Sequence, residues 1–99
     1  MLYCVEMEVR IPPDSDPLKI DKLKAEEKAY SQDLQRQGKW RHIWRVAGRY
    51  ANVSVLDVAD HDELNAIIFG LPLFPYMEIK VTALARHPSA IEESTDCGG

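Results

Sequence analysis

One carboxylate lies where a helix is expected to carry apolar side chains. The stretch from Asp16 to Gly38 begins with a capping residue followed by proline and ends at glycine, which is typical of a helix. At about 100° per residue, one stripe of this helix contains Ile20, Leu23, Tyr30 and Leu34. Glu27 falls inside this stripe, whereas Glu26 lies roughly 80° from its centre. The pattern therefore indicates either a desolvated general base at Glu27 or a structural ion pair with Lys24 or a strand arginine.

A second group of reactive side chains is concentrated in the six residues WRHIWR. Strict alternation would place Trp40, His42 and Trp44 on one face of a strand, with Arg41 and Arg45 on the other. Such residues could form a subunit interface with tryptophans inside and arginines at the rim, or they could belong to a functional site. The residues alone leave both interpretations open.

Several classes of function are not expected for this sequence. The chain has 12 basic and 16 acidic residues and a net charge of −4, which argues against binding to nucleic acid. No apolar run is long enough to span a membrane, and no secretory signal is visible, so we expect a cytoplasmic protein. The histidines and cysteines do not have the spacing of a metal site, and glycine-rich phosphate loops are absent, so no metal or cofactor is expected.

The remaining periodicities predict the fold. Alternating stretches at 2–10, 39–47, 53–58 and 77–84 predict strands, and a second helix is expected at 61–69 after the capping residue Asp60. The order βαββαβ predicts an α+β, ferredoxin-like domain, with a four-stranded antiparallel sheet and two helices on one face. We expect this domain at 1–91, followed by a polar tail at 92–99. The uncovered second face of the sheet suggests an oligomer.

Three stretches of the chain resemble the muconolactone Δ-isomerase family. They are Leu23–Lys28 (LKAEEK), Gly38–Asn52 (GKWRHIWRVAGRYAN) and Leu71–Met77 (LPLFPYM), and the similarity runs from Met1 to about Ile91. A departure is Cys4, where histidine is common in the family, which argues against an essential role for this position.

The resemblance implies a reaction that needs no cofactor. Muconolactone becomes 3-oxoadipate enol-lactone in the β-ketoadipate pathway of catechol degradation. A proton leaves one ring carbon, a dienolate forms, and a proton is added beside the lactone carbonyl. The family also implies a homodecamer built from dimers. The acidic composition predicts no nucleic-acid or membrane partner.

The same resemblance suggests roles for the unusual residues. Glu27 is the expected base and Glu26 the less favoured one, while Tyr30, His42 or Tyr50 would donate hydrogen bonds to the developing oxyanion. The remaining predicted substrate-binding residues are Lys24, Trp40, Arg41 and Arg45. Which face of the second strand meets Glu27 stays open at this point.

Two alternative hypotheses keep the same fold but assign it a different function. One is another ferredoxin-like oligomer, such as a cofactor-free monooxygenase or a lactone-binding protein. The other is a purely structural assembly module. Glu27 favours the isomerase hypothesis over these alternatives, because a scaffold has no use for a carboxylate within an apolar stripe.

Overall fold

The computed structural model describes residues 1–91, and the expected polar tail at 92–99 lies outside the described residues. The elements follow in the order expected from the sequence, with a short 3₁₀ turn at Phe74–Tyr76 that was not expected. They are β1 (Leu2–Val9), α1 (Pro17–Arg36), β2 (Trp40–Arg45), β3 (Ala51–Asp57), α2 (His61–Phe69) and β4 (Met77–Leu84). The sheet has the order β2-β3-β1-β4, and every pair of neighbours is antiparallel, which confirms the predicted ferredoxin-like fold.

Side-chain caps set the starts of both helices. The carboxylate of Asp16 accepts a hydrogen bond from the backbone N–H of Leu18 at 3.1 Å, and Pro17 occupies the first turn. Asp60 accepts a bond from the N–H of Glu63 at 2.8 Å in the same way. After α1 the chain turns at Gly38, whose φ of +79° suits a residue without a Cβ. The predicted helix starts are therefore confirmed.

The hydrophobic core lies between the two helices and one face of the sheet. Tyr3, Val5 and Met7 of β1 are almost fully buried against residues of both helices. Across the sheet, His42 and Trp44 lie on the opposite face, where their rings stack with centroids 5.0 Å apart. Trp44 remains 55% exposed, so the helices leave this second face uncovered, as expected.

The expected strict alternation along β2 is wrong, because the strand contains a β-bulge. Trp40 pairs with Leu56, but His42 already pairs with Val55, so two residues of β2 span one step of β3. The extra residue inverts the alternation. Trp40 and Arg45, which strict alternation would separate, therefore lie on the same, helix-covered face of the sheet.

Tyr30 joins the two helices through its hydroxyl group. This hydroxyl donates a hydrogen bond to the backbone carbonyl of Ile67 at 2.8 Å. It also lies directly above Gly70, where a Cβ would approach the hydroxyl oxygen to 2.5 Å. The contact between α1 and the end of α2 therefore depends on having no side chain at Gly70.

Replacing Gly70 by alanine should destabilise the fold by about 1–3 kcal/mol, because the new methyl group displaces Tyr30. Tyr30→Phe alone should cost about 1 kcal/mol through the lost hydrogen bond. Since phenylalanine removes the clashing oxygen, the double variant should lose less stability than the sum of the two single variants. Urea denaturation of the four proteins measures this coupling, and strict additivity would contradict the described contact.

Candidate active site

A cavity of about 400 Å³ lies between α1, the bulged strand β2 and the turn that connects β2 to β3. Its volume falls within the range of small-molecule sites. Five of the residues predicted from the sequence line it together: Lys24, Glu27, Trp40, Arg45 and Tyr50. The bulge is what brings Trp40 and Arg45 to the same cavity.

The carboxylate of Glu27 is held by one backbone hydrogen bond. Its Oε1 accepts from the N–H of Leu73 at 3.1 Å, and Leu73 is buried in the loop between α2 and β4. The second oxygen, Oε2, accepts no hydrogen bond from the residues at 1–91. Oε1 is thus fixed by the fold, while Oε2 remains free to accept a proton from a bound ligand.

Burial changes the acidity of Glu27. Loss of solvent raises the pKa of this carboxyl above its ordinary value of 4.5, and the hydrogen bond from Leu73 offsets only part of that rise. A carboxylate with a raised pKa is a stronger base than an exposed one, and its conjugate acid is a weaker acid that holds its proton more firmly. These are the properties needed to accept a proton from carbon and to return it.

Three cations line the same cavity without ion-pair partners among residues 1–91. Lys24, Lys28 and Arg45 line the cavity, and none of them forms a salt bridge with any residue in the part of the chain that the structure describes. With Glu27 ionised, the four groups together leave a charge of +2 at the cavity. Since the chain as a whole is acidic, this local excess of positive charge favours an anionic ligand.

Tyr50 positions two of these cations. Lys24 Nζ lies 5.4 Å from the centroid of the Tyr50 ring, and Arg45 Cζ lies 5.3 Å from it. The backbone of Tyr50 is itself fixed, because its carbonyl accepts a hydrogen bond from the N–H of Val9 at 3.0 Å. Burial raises the pKa of the Tyr50 hydroxyl, so this group is neutral at ordinary pH.

The structure places the other sequence candidates elsewhere. Tyr30 lies outside the cavity lining and gives its hydroxyl hydrogen to Ile67, although burial and then the charge of Glu27 raise the pKa of that hydroxyl. His42 lies on the uncovered face of the sheet. Arg41 is the extra residue of the bulge, and its Nη1 lies 3.1 Å from Oδ2 of Asp57 in a partly buried ion pair. Glu26 is exposed and does not line the cavity.

Several residues that line the cavity were not predicted from the sequence. Lys28 was expected on the solvated face of α1; it is exposed, but it also borders the cavity. The other missed positions include Ser31, Ile43, Asn52, Leu73 and Met77. Lys28 follows Lys24 by one helical turn, so the two side chains lie on the same side of α1. This spacing could have predicted that Lys28 borders the cavity. Leu73 reaches the site through a loop that periodicity does not position, although it lies within the stretch Leu71–Met77 that resembles the family.

Residues 1–91 contain no group of histidine, cysteine, aspartate and glutamate side chains arranged to hold a metal ion. Within the same range, neither helix has the length and apolar character needed to cross a membrane.

The fold and the site together define a small α+β protein with a half-buried carboxylate and several cationic side chains in one cavity. The family model of muconolactone Δ-isomerase matches residues 1–90. A muconolactone Δ-isomerase of Cupriavidus pinatubonensis is 56% identical over 92% of this chain and 99% of its own length, and one of Pseudomonas putida is 55% identical over 92% and 95%. A crystal structure of muconolactone isomerase superposes with a TM-score of 0.88 at 55% identity, covering 92% of this chain and 95% of that chain. The chain belongs to the muconolactone Δ-isomerase family and is therefore an isomerase.

The raised pKa of Glu27 makes a prediction about stability. The folded chain binds this proton more tightly than the unfolded chain, so ionisation of Glu27 destabilises the fold once the pH exceeds the raised pKa. Glu27→Gln should therefore be more stable than the parent at about pH 7.5, and this advantage should shrink toward about pH 4. Urea denaturation at both pH values measures the difference, with Glu26→Gln as the exposed control. A difference that is the same at both pH values would contradict the assignment.

Proposed function

We propose that the chain converts muconolactone to 3-oxoadipate enol-lactone in cytoplasmic catechol degradation, with Glu27 as the group that moves the proton. The observation that carries this proposal is a partly buried carboxylate, fixed by one backbone N–H, in a cavity with three unpaired cations among residues 1–91. Membership of the family supports the choice of substrate.

The proton is moved in two steps. Oε2 of Glu27 removes the proton from the ring carbon that bears the side chain, and the electrons of that bond form a dienolate with its charge on the carbonyl oxygen. The neutral Glu27 then returns the proton to the carbon beside the carbonyl. The ring double bond thereby shifts by one position, away from that carbon and onto the carbon that lost the proton. Because the proton leaves and returns on one carboxyl group, no oxidant, reductant or cofactor takes part.

The cations hold the anionic end of the substrate. In the proposal, Arg45 binds the carboxylate of the side chain through its planar guanidinium, and Lys24 adds a second charge from α1. Both cations lie beside the ring of Tyr50. A bound carboxylate is attracted by both charges, so the arrangement favours an anionic substrate.

Assembly belongs to the proposal as well. The face of the sheet that carries His42 and Trp44 is uncovered in the single chain, and its stacked aromatic rings have the composition of a subunit interface. This supports a homo-oligomer, which we propose to be a decamer built from dimers.

Replacing Glu27 by glutamine should lower kcat by about 10²–10⁴-fold, because the amide keeps the shape but cannot accept the proton. Glu26→Gln is the matched control, since it changes the neighbouring, exposed carboxylate and should retain parental kcat. The assay follows the loss of muconolactone with purified protein and no added cofactor. Activity of the Glu27→Gln variant within about tenfold of the parent would remove Glu27 as the base.

Replacing Arg45 by alanine should raise KM about 10- to 100-fold, because a charged hydrogen bond to the substrate is lost, with a smaller change in kcat. Arg36→Ala removes an exposed arginine outside the cavity and should leave both constants unchanged. Tyr50→Leu should also raise KM, whereas Tyr50→Phe should retain the parental KM because it keeps the ring that contacts both cations. An unchanged KM in Arg45→Ala would exclude the proposed clamp.

A further inference from the structure

One buried hydrogen-bond donor has no partner in the described chain. Among residues 1–91, the indole Nε1 of Trp40 is the one buried side-chain nitrogen or oxygen that forms no hydrogen bond. Leaving such a donor unsatisfied costs about 1–3 kcal/mol. Folded proteins therefore satisfy nearly all of these groups with protein, water or a ligand.

This donor belongs to a side chain that lines the cavity of Glu27. Trp40 is 2% exposed and borders the same space as Glu27 and Arg45. Its backbone position is fixed, because it pairs with Leu56 immediately before the bulge. An indole has one N–H and no acceptor, so only an acceptor atom brought to it can satisfy it.

The proposed reaction creates a new hydrogen-bond acceptor in the cavity. The dienolate carries its negative charge on an oxygen, which must be stabilised in a site that excludes water. Of the three groups that the sequence suggested for this task, Tyr30 gives its hydrogen to Ile67 and His42 lies on the other face of the sheet, which leaves Tyr50 in the cavity lining. The indole of Trp40 adds a second, unused donor on a side chain that lines the same cavity.

We propose that the indole N–H of Trp40 donates a hydrogen bond to the carbonyl oxygen of the bound lactone, and that this bond strengthens as the dienolate forms. Trp40 is then a catalytic residue, in contact with substrate, and not only an apolar wall. The inference rests on the proposed function, because it needs an oxygen that gains negative charge during the reaction.

The indole resonances test this bond without relying on activity. The chain contains two tryptophans, so a ¹⁵N-labelled sample gives two indole N–H signals, and Trp44→Phe assigns them. Because Glu27→Gln should convert muconolactone about 10²–10⁴-fold more slowly than the parent, the lactone can be titrated into this variant. The Trp40 signal should move downfield and become protected from exchange with water, while the Trp44 signal stays in place. A Trp40 signal that does not move at saturation would overturn the proposal.

Kinetics give a second test that does not depend on the titration. Trp40→Phe keeps an aromatic wall and removes the donor, so kcat should fall on the order of 100-fold with a small change in KM. Trp44→Phe, on the opposite face, is the matched control and should keep the parental kcat. A kcat for folded Trp40→Phe within about threefold of the parent would overturn the proposal. If the parent itself fails to convert muconolactone, the proposed function is wrong. If the parent is active but the Trp40 signal does not move and Trp40→Phe keeps its kcat, only this inference is wrong.

Discussion

The rest of the site depends on a carboxylate that is partly withdrawn from water between α1 and the loop before β4. Removing a charged group from water is costly, and Glu27 recovers part of that cost through a single N–H from Leu73. The remaining cost is visible as a raised pKa. The fold thus tolerates an unfavourable group at one position, which is what a general base requires and what a structural ion pair would avoid.

A backbone irregularity determines which side chains meet this carboxylate. The bulge at Arg41 adds one residue to β2, so Trp40 and Arg45 lie on the same face of the sheet. Without it, one of the two would point to the uncovered face. Arg41 itself is held by Asp57. The bulge therefore connects the geometry of the sheet with the lining of the cavity, since it places both Arg45 and Trp40 there.

Local patterns predicted the elements of the fold and the central residue of the site. The apolar stripe of α1 identified Glu27, and the caps at Asp16 and Asp60 identified both helix starts, because these signals act within a few residues. The bulge and the N–H of Leu73 could not be predicted. Both are set by contacts between elements far apart in the chain, as is the hydrogen bond that directs Tyr30 to Ile67.

The central claim is that Glu27, the cations and Trp40 form one binding site for the lactone. A crystal structure of the Glu27→Gln protein with bound muconolactone tests this claim most directly. The bound lactone should lie in the cavity between α1 and β2. Its carboxylate should contact Arg45 and Lys24, and its reacting carbons should lie beside residue 27. A lactone bound on the uncovered face of the sheet, or in the cavity with its carboxylate directed away from Arg45 and Lys24, would contradict it.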